Sequence, residues 1–200
     1  MQNKVKLLIV GDVIGKGGRN ALICQIKNLK EKYNYDFIIV NAENTTHGRG
    51  LSYKHYLSYK EAGVDVMTMG NHVLDEKTIA NYIEKTNDLV VPGNVNYDLK
   101  VFDDHKEANL EFQGKNIKII NVLGNDTTNK IFANNQIEFF KKYADSNDIL
   151  VVDYHGNTLK IKMDLLIILM ELLHVYLVLT LMFKQLMKEY YLKEQLSLLM

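Results

Sequence analysis

Residues 64–72, Val64-Asp65-Val66-Met67-Thr68-Met69-Gly70-Asn71-His72, form an apolar run that stops at a glycine and delivers an amide and an imidazole next. A short β-branched run of this kind reads as a buried strand. In an open α/β sheet, ligands sit outside the carboxyl ends of the strands. Two more stretches repeat the form: Lys6 to Val10 runs into Gly11-Asp12, and Phe37 to Val40 runs into Asn41-Ala42-Glu43-Asn44. Three strands that each end in a carboxylate or an amide predict a site assembled from strand tips.

The rest of the chain supplies the connections. After Asp12 comes a glycine-bearing turn (V-I-G-K-G-G-R-N) and then Ala21 to Tyr33, whose Leu22, Ile26 and Leu29 suit one helix face. The loop from Asn41 to Gly50 has the composition of an active-site loop. Ser52 can cap a helix running to Ala62 and ended by Gly63, and Asp75 can head a helix from Glu76 to Lys85. The alternation β-α-β-α-β-α argues for a mainly parallel sheet with helices on both faces. Leu89 to Val91 is a fourth strand, and Ala108–Phe112 with Asn116–Val122 read as a hairpin. Ile131 to Tyr143 reads as helical, and Ile149 to Val152 as a strand ending at Asp153-Tyr154-His155. The tips with Asp12, Glu43, Asn71 and His155 are expected to converge at one edge of a single sheet.

Bulk properties exclude little but exclude it clearly. Two hundred residues suffice for a domain with its own core. Lys+Arg 24 against Asp+Glu 24 leaves no net charge to drive binding to nucleic acid or an anionic membrane. The single cysteine, Cys24, rules out an intramolecular disulfide and suits a reducing cytoplasm. Residues 1–4 lead into the first strand without a signal-like segment, so a cytoplasmic location is expected. A homo-oligomer is compatible with all of this.

Asp12, Glu43, Asn44, Asn71 and His155 are oxygen or imidazole donors at strand ends, suited to divalent Mn, Fe or Zn. A carboxylate bridging two such ions would let both polarise a phosphate. Each residue has a plainer reading: Asp12 as a helix cap, Asn71 as a turn residue, His155 as a core histidine. Their joint placement favours the site. His72 can protonate a leaving alkoxide or bind a phosphate oxygen, and it can also simply fill its loop. His47 is either a phosphate contact or a loop residue. The G-K-G-G stretch at Gly15–Gly18 lacks the spacing of a nucleotide P-loop.

The motifs G-D-V-I-G (11–15), N-A-E-N-T-T-H-G-R-G (41–50), M-G-N-H (69–72), P-G-N (92–94) and V-D-Y-H (152–155) resemble the YmdB-like branch of the calcineurin-like metallophosphoesterases. The resemblance covers about the first 155 residues. It implies a four-layer α/β/β/α fold and a hydrolase with two divalent or mixed-valence ions, acting on phosphodiesters such as 2′,3′-cyclic nucleotides. It further implies that Asp12 and Asn44 bind one ion, Glu43 bridges, Asn71 and His155 bind the other, and His72 donates the proton. Where most calcineurin-like enzymes carry a histidine two residues after the first aspartate, this chain has Ile14.

The end of the chain departs from the family. Residues 161–200 contain no Gly, Ala, Asn, Pro or Arg and are crowded with Leu and Met. Asp164, Glu171 and His174 interrupt the run, so no membrane span is expected. The family closes its site with G-T-H-T-H-V, and this chain has no H-x-H. Back-translating Leu177 to Tyr191 and reading one nucleotide earlier can yield G-T-H-T-H-V-Q-T-A-D-E-R-I-L. The expectation is a phosphoesterase domain over 1–160, incomplete through a frameshift, and an out-of-frame tail over 161–200 forming at most a loosely docked leucine-rich helix. The rival reading is a non-catalytic α/β protein whose tail serves assembly or membrane contact.

Overall fold

The computed structural model of the protein describes residues 4–125, 135–143, 149–156 and 175–181, and at 137 and 175–181 it describes the backbone alone. The amino-terminal half alternates β1 (Leu7–Val10), α1 (Gly15–Tyr33), β2 (Phe37–Asn41), α2 (Tyr53–Ala62), β3 (Val66–Thr68), α3 (Ile79–Tyr82) and β4 (Leu89–Val90). The four strands pair in parallel in sequence order. Right-handed crossovers between strands laid down in order keep the helices on one face. Along β2 the pleat separates two environments: Ile38 and Val40 pack with Leu22, Ile26 and Tyr59 under the helices, and Ile39 points the other way.

That other face meets a second sheet. β5 (Glu107–Phe112) and β6 (Lys115–Leu123) form an antiparallel hairpin turned through Gln113 and Gly114, both at positive φ, 51° and 76°. β7 (Ile149–Gly156) and β8 (Val175–Leu181) continue it in parallel. Ile39, Val66 and Val90 pack between the sheets against Ala108, Ile117, Ile119 and Val151. The outer face of the second sheet (Ile120, Val122, Leu150, Val152, Tyr154) is covered by Phe139 and Phe140 of α4 (Gln136–Phe140) and by Tyr143. The result is the four-layer α/β/β/α order that the resemblance implied.

Several local expectations change. The first sheet carries helices on one face, because the second sheet occupies the other. The glycine-bearing turn is instead the start of α1, and Cys24 lies exposed on that helix. The helix expected from Glu76 to Lys85 shrinks to α3 and a 3-10 turn at Ile83–Lys85. β7 runs on through His155, so this histidine stands inside a strand. Of the helix expected over Ile131–Tyr143, residues 131–134 lie outside the described residues. In the tail, Val175–Leu181 is a strand and not part of a helix, with Leu150 to Gly156 as its register partners. V-Y-L-V-L-T-L is rich in residues that favour strands, and the open edge of β7 offers a ladder of donors and acceptors. The rest of the tail reading lies outside the described residues. Among the described residues no helix is long and apolar enough to cross a membrane.

Because the space between the sheets is closed on both sides, Ile39→Ala is expected to destabilise the protein by about 2–5 kcal/mol in urea unfolding. Leu99→Ala, at a side chain 53% exposed, should stay within about 0.5 kcal/mol.

Candidate functional site

Parallel strands in register bring their carboxyl ends to one side, so Asp12 after β1, Glu43 and Asn44 after β2, and Gly70 to His72 after β3 gather there. His155 arrives from the second sheet. On β7, Val151 faces the inter-sheet layer, and the two-residue period carries Asp153 and His155 to the same side. Asp12, Glu43, Asn44 and His155 therefore meet at the junction of two sheets and not at the edge of one, because a strand of the second sheet lies across the first.

The contacts form a chain. Asn44 Nδ2 donates to Asp12 Oδ2 at 2.7 Å and to Glu43 Oε1 at 3.0 Å. His155 Nε2 lies 3.1 Å from the same Glu43 oxygen, with neither side chain exposed. Gly70 makes the approach possible, since a Cβ there would fall 1.9 Å from Glu43 Oε2 and 2.8 Å from His155 Cγ. The Glu43 backbone N–H is held by Asn41 Oδ1 at 3.3 Å.

Burial pushes the Glu43 carboxyl well above its ordinary range, and the charge of Asp12 adds to the effect. Burial likewise raises Asp12 to about 6, against the hydrogen bond from Asn44. Two carboxylates that resist ionisation together suit a site that receives a cation. Asp12 Oδ1 is buried with no hydrogen-bond partner, an oxygen left over for a ligand bond. The residues thus fit divalent ions. Among the described residues no three His, Cys, Asp or Glu side chains form a metal-holding group by themselves. The amides of Asn44 and Asn71 would have to contribute.

Asn71 is half-buried in the turn after Gly70. His72 lies beside the chain: its N–H is 3.5 Å from Glu43 Oε2, and its Nδ1 is 2.6 Å from Asp75 Oδ2. That contact orients the ring and leaves Nε2 for another partner. Asp75 also lies 3.9 Å from Nη1 of the exposed Arg49. Sequence reasoning missed Asp75 as an orienting residue, because an Asp ahead of a helical pattern reads as a cap. The spacing H-V-L-D was the available signal. His47 is exposed, at φ 52°.

The family profile described as YmdB-like protein matches residues 8–176. The chain belongs to this family. A Mycoplasma pneumoniae protein named "Putative phosphatase/phosphodiesterase" is 40% identical over 162 residues, covering 79% of this chain and 57% of that protein. A Bacillus subtilis 2′,3′-cyclic-nucleotide 2′-phosphodiesterase is 42% identical over 90 residues, covering 45% of this chain and 34% of that protein. A crystal structure of a novel phosphatase from Mycoplasma pneumoniae superposes with a TM-score of 0.79 at 36% identity, covering 86% of this chain and 63% of the other. A Thermus thermophilus protein at 23% identity shares the fold with a TM-score of 0.74, covering 86% of this chain and 66% of the other. The chain spans less than two thirds of the length of the curated relatives it matches.

The raised Asp12 carboxyl has a definite sign. A folded-state value of about 6, above the ordinary 3.8, favours folding with the proton on. That contribution is complete below the unfolded value and is lost as pH rises through the folded one. With cations chelated, the fall in Tm between about pH 4.5 and 7 should be shallower in Asp12→Asn than in the parent protein. Equal slopes would show that Asp12 is not so held.

Proposed function

We propose that this chain carries an incomplete dinuclear-metal phosphodiesterase domain of the kind that acts on 2′,3′-cyclic nucleotides or related phosphodiesters. The observation that carries the reading is the buried Glu43 carboxylate, approached through Asn44 and Asp12 on one side and His155 on the other. Membership of the YmdB-like family and the names of the Mycoplasma and Bacillus relatives support it.

Asp12 and Asn44 would hold one ion, Asn71 and His155 the other, with Glu43 between them. When bound, the pair of ions supplies polarisation of the phosphate and a water acidic enough to attack near neutral pH. The protein's own residues do the rest. Gly70 lets Glu43 and His155 come together, and burial excludes bulk water from their contact. Asp75 holds Nδ1 of His72, so that Nε2 can pass its proton to the leaving oxygen.

The same reading extends to the tail. We propose that residues beyond about 160 derive from the family's gene read in another frame, so that each ion lacks a histidine and binds weakly. Nucleotide sequence across codons 155–165 decides this, and reads that uphold the present frame reject it.

In a protein with the frame restored, His72→Ala should lower turnover of 2′,3′-cyclic AMP by about 10²–10⁴-fold with metal stoichiometry unchanged. Loss of metal together with activity would make His72 a ligand or structural residue. A frame-restored protein that neither takes up metal nor hydrolyses bis(p-nitrophenyl) phosphate would favour the non-catalytic reading.

A further inference from the structure

Asp153 is a carboxylate of the second sheet that reaches into the first. It is 4% exposed. Its Oδ2 accepts from Asn41 Nδ2 at 2.8 Å, from Thr68 Oγ1, and from Asn121 Nδ2 at 3.2 Å. Asn41 closes β2 and Thr68 closes β3, while Asn121 stands opposite Asp153 on β6. One oxygen therefore gathers the ends of two strands of the first sheet and one strand of the second.

The donors are themselves tied to the candidate ligands. Asn41 Oδ1 receives the Glu43 N–H, and Asn41 Nδ2 also reaches the carbonyl of Met69, the residue before Gly70. Thr68 precedes Gly70 by two positions, and Asp153 precedes His155 by two on the same face of β7. Glu43 and His155 belong to different sheets, and the apolar layer between the sheets is non-directional. Packing alone does not define their separation to the few tenths of an ångström that metal ligation requires. Charge-assisted hydrogen bonds are short and directional, and a buried carboxylate takes them from donors in fixed places.

We propose that Asp153 is a positioning residue for the cation site: by gathering Asn41, Thr68 and Asn121 it fixes the gap between Glu43 and His155. The inference rests on the metal-site reading above. It adds a residue that would touch neither ion nor substrate.

The test is Co²⁺ titration of the full 200-residue chain, read by affinity and by the d–d absorption that reports ligand geometry. Asp153→Asn should weaken Co²⁺ about 10–100-fold and shift the absorption of the bound fraction, as loss of an outer-sphere partner does. Thr68→Val, which keeps the carboxylate and removes one donor, should shift the absorption in the same direction with a smaller loss of affinity. It stands in if Asp153→Asn fails to fold. A merely structural Asp153 would lower the Tm of the metal-free protein and leave the spectrum and affinity of the folded fraction unchanged. That result, or an unchanged spectrum and affinity in Thr68→Val, overturns the proposal alone. Where the parent chain takes up no Co²⁺ at millimolar metal, the same variants are titrated with the frame restored, and no uptake there overturns the metal reading together with the proposal.

Discussion

A carboxylate with no exposed surface, Glu43, is the group that the surrounding structure has to accommodate. An isolated ionised carboxylate in a dry interior costs several kcal/mol unless its oxygens find charged or hydrogen-bonding partners. Glu43 has such neighbours from two directions, Asn44 beside it in sequence and His155 from the other sheet. Bringing a strand of one sheet onto the tips of another is what makes the second neighbour available. Gly70 is the local condition for that approach, since any side chain at this position would occupy the space of the Glu43 carboxylate.

The junction is fastened at a second place. Asn94 donates its Nδ2 to the Leu123 carbonyl and accepts the Leu123 N–H, both at 2.8 Å. Gly93 donates its N–H to the Asn121 carbonyl and leaves room for Phe139, whose Cζ would lie 2.5 Å from a Cβ at 93. The P-G-N motif, in sequence only a mark of resemblance, thus holds the end of β4 to the end of β6. Its chemistry is that of an amide imitating a strand, with one donor and one acceptor answering a backbone pair.

The strand tips are legible in the sequence because their signal is local: an apolar β-branched run, a glycine or turn, then donor residues. The stacking of two sheets is not. Ile39 is apolar whether a helix or a sheet covers it, so periodicity along β2 cannot distinguish helices on both faces from a second sheet. Only the five-motif resemblance points to four layers. Asp75 escapes for a similar reason, since an i+3 contact to His72 and a helix cap share one pattern of letters. The leucine content of the tail suggests a helix. At Val175–Leu181 the free edge of β7 overrides that preference, as tertiary context does wherever strand propensity is high.

The division of the donors between two sheets has a thermodynamic consequence. Asp12, Glu43 and Asn44 belong to the first sheet and can keep their hydration for as long as that sheet stands alone. The contact between Asn41 and Asp153 closes 112 residues of chain, and the desolvation of Glu43 falls due when the second sheet docks. Any ligand that needs donors from both sheets binds only the docked form, so its binding free energy adds to the cohesion of the sheets by mass action. Docking opposed by burial of the Glu43 carboxyl would be favoured by a cation held between the sheets, and the junction would then be a point of linkage: occupancy of the site and closure of the domain would be two readings of one equilibrium.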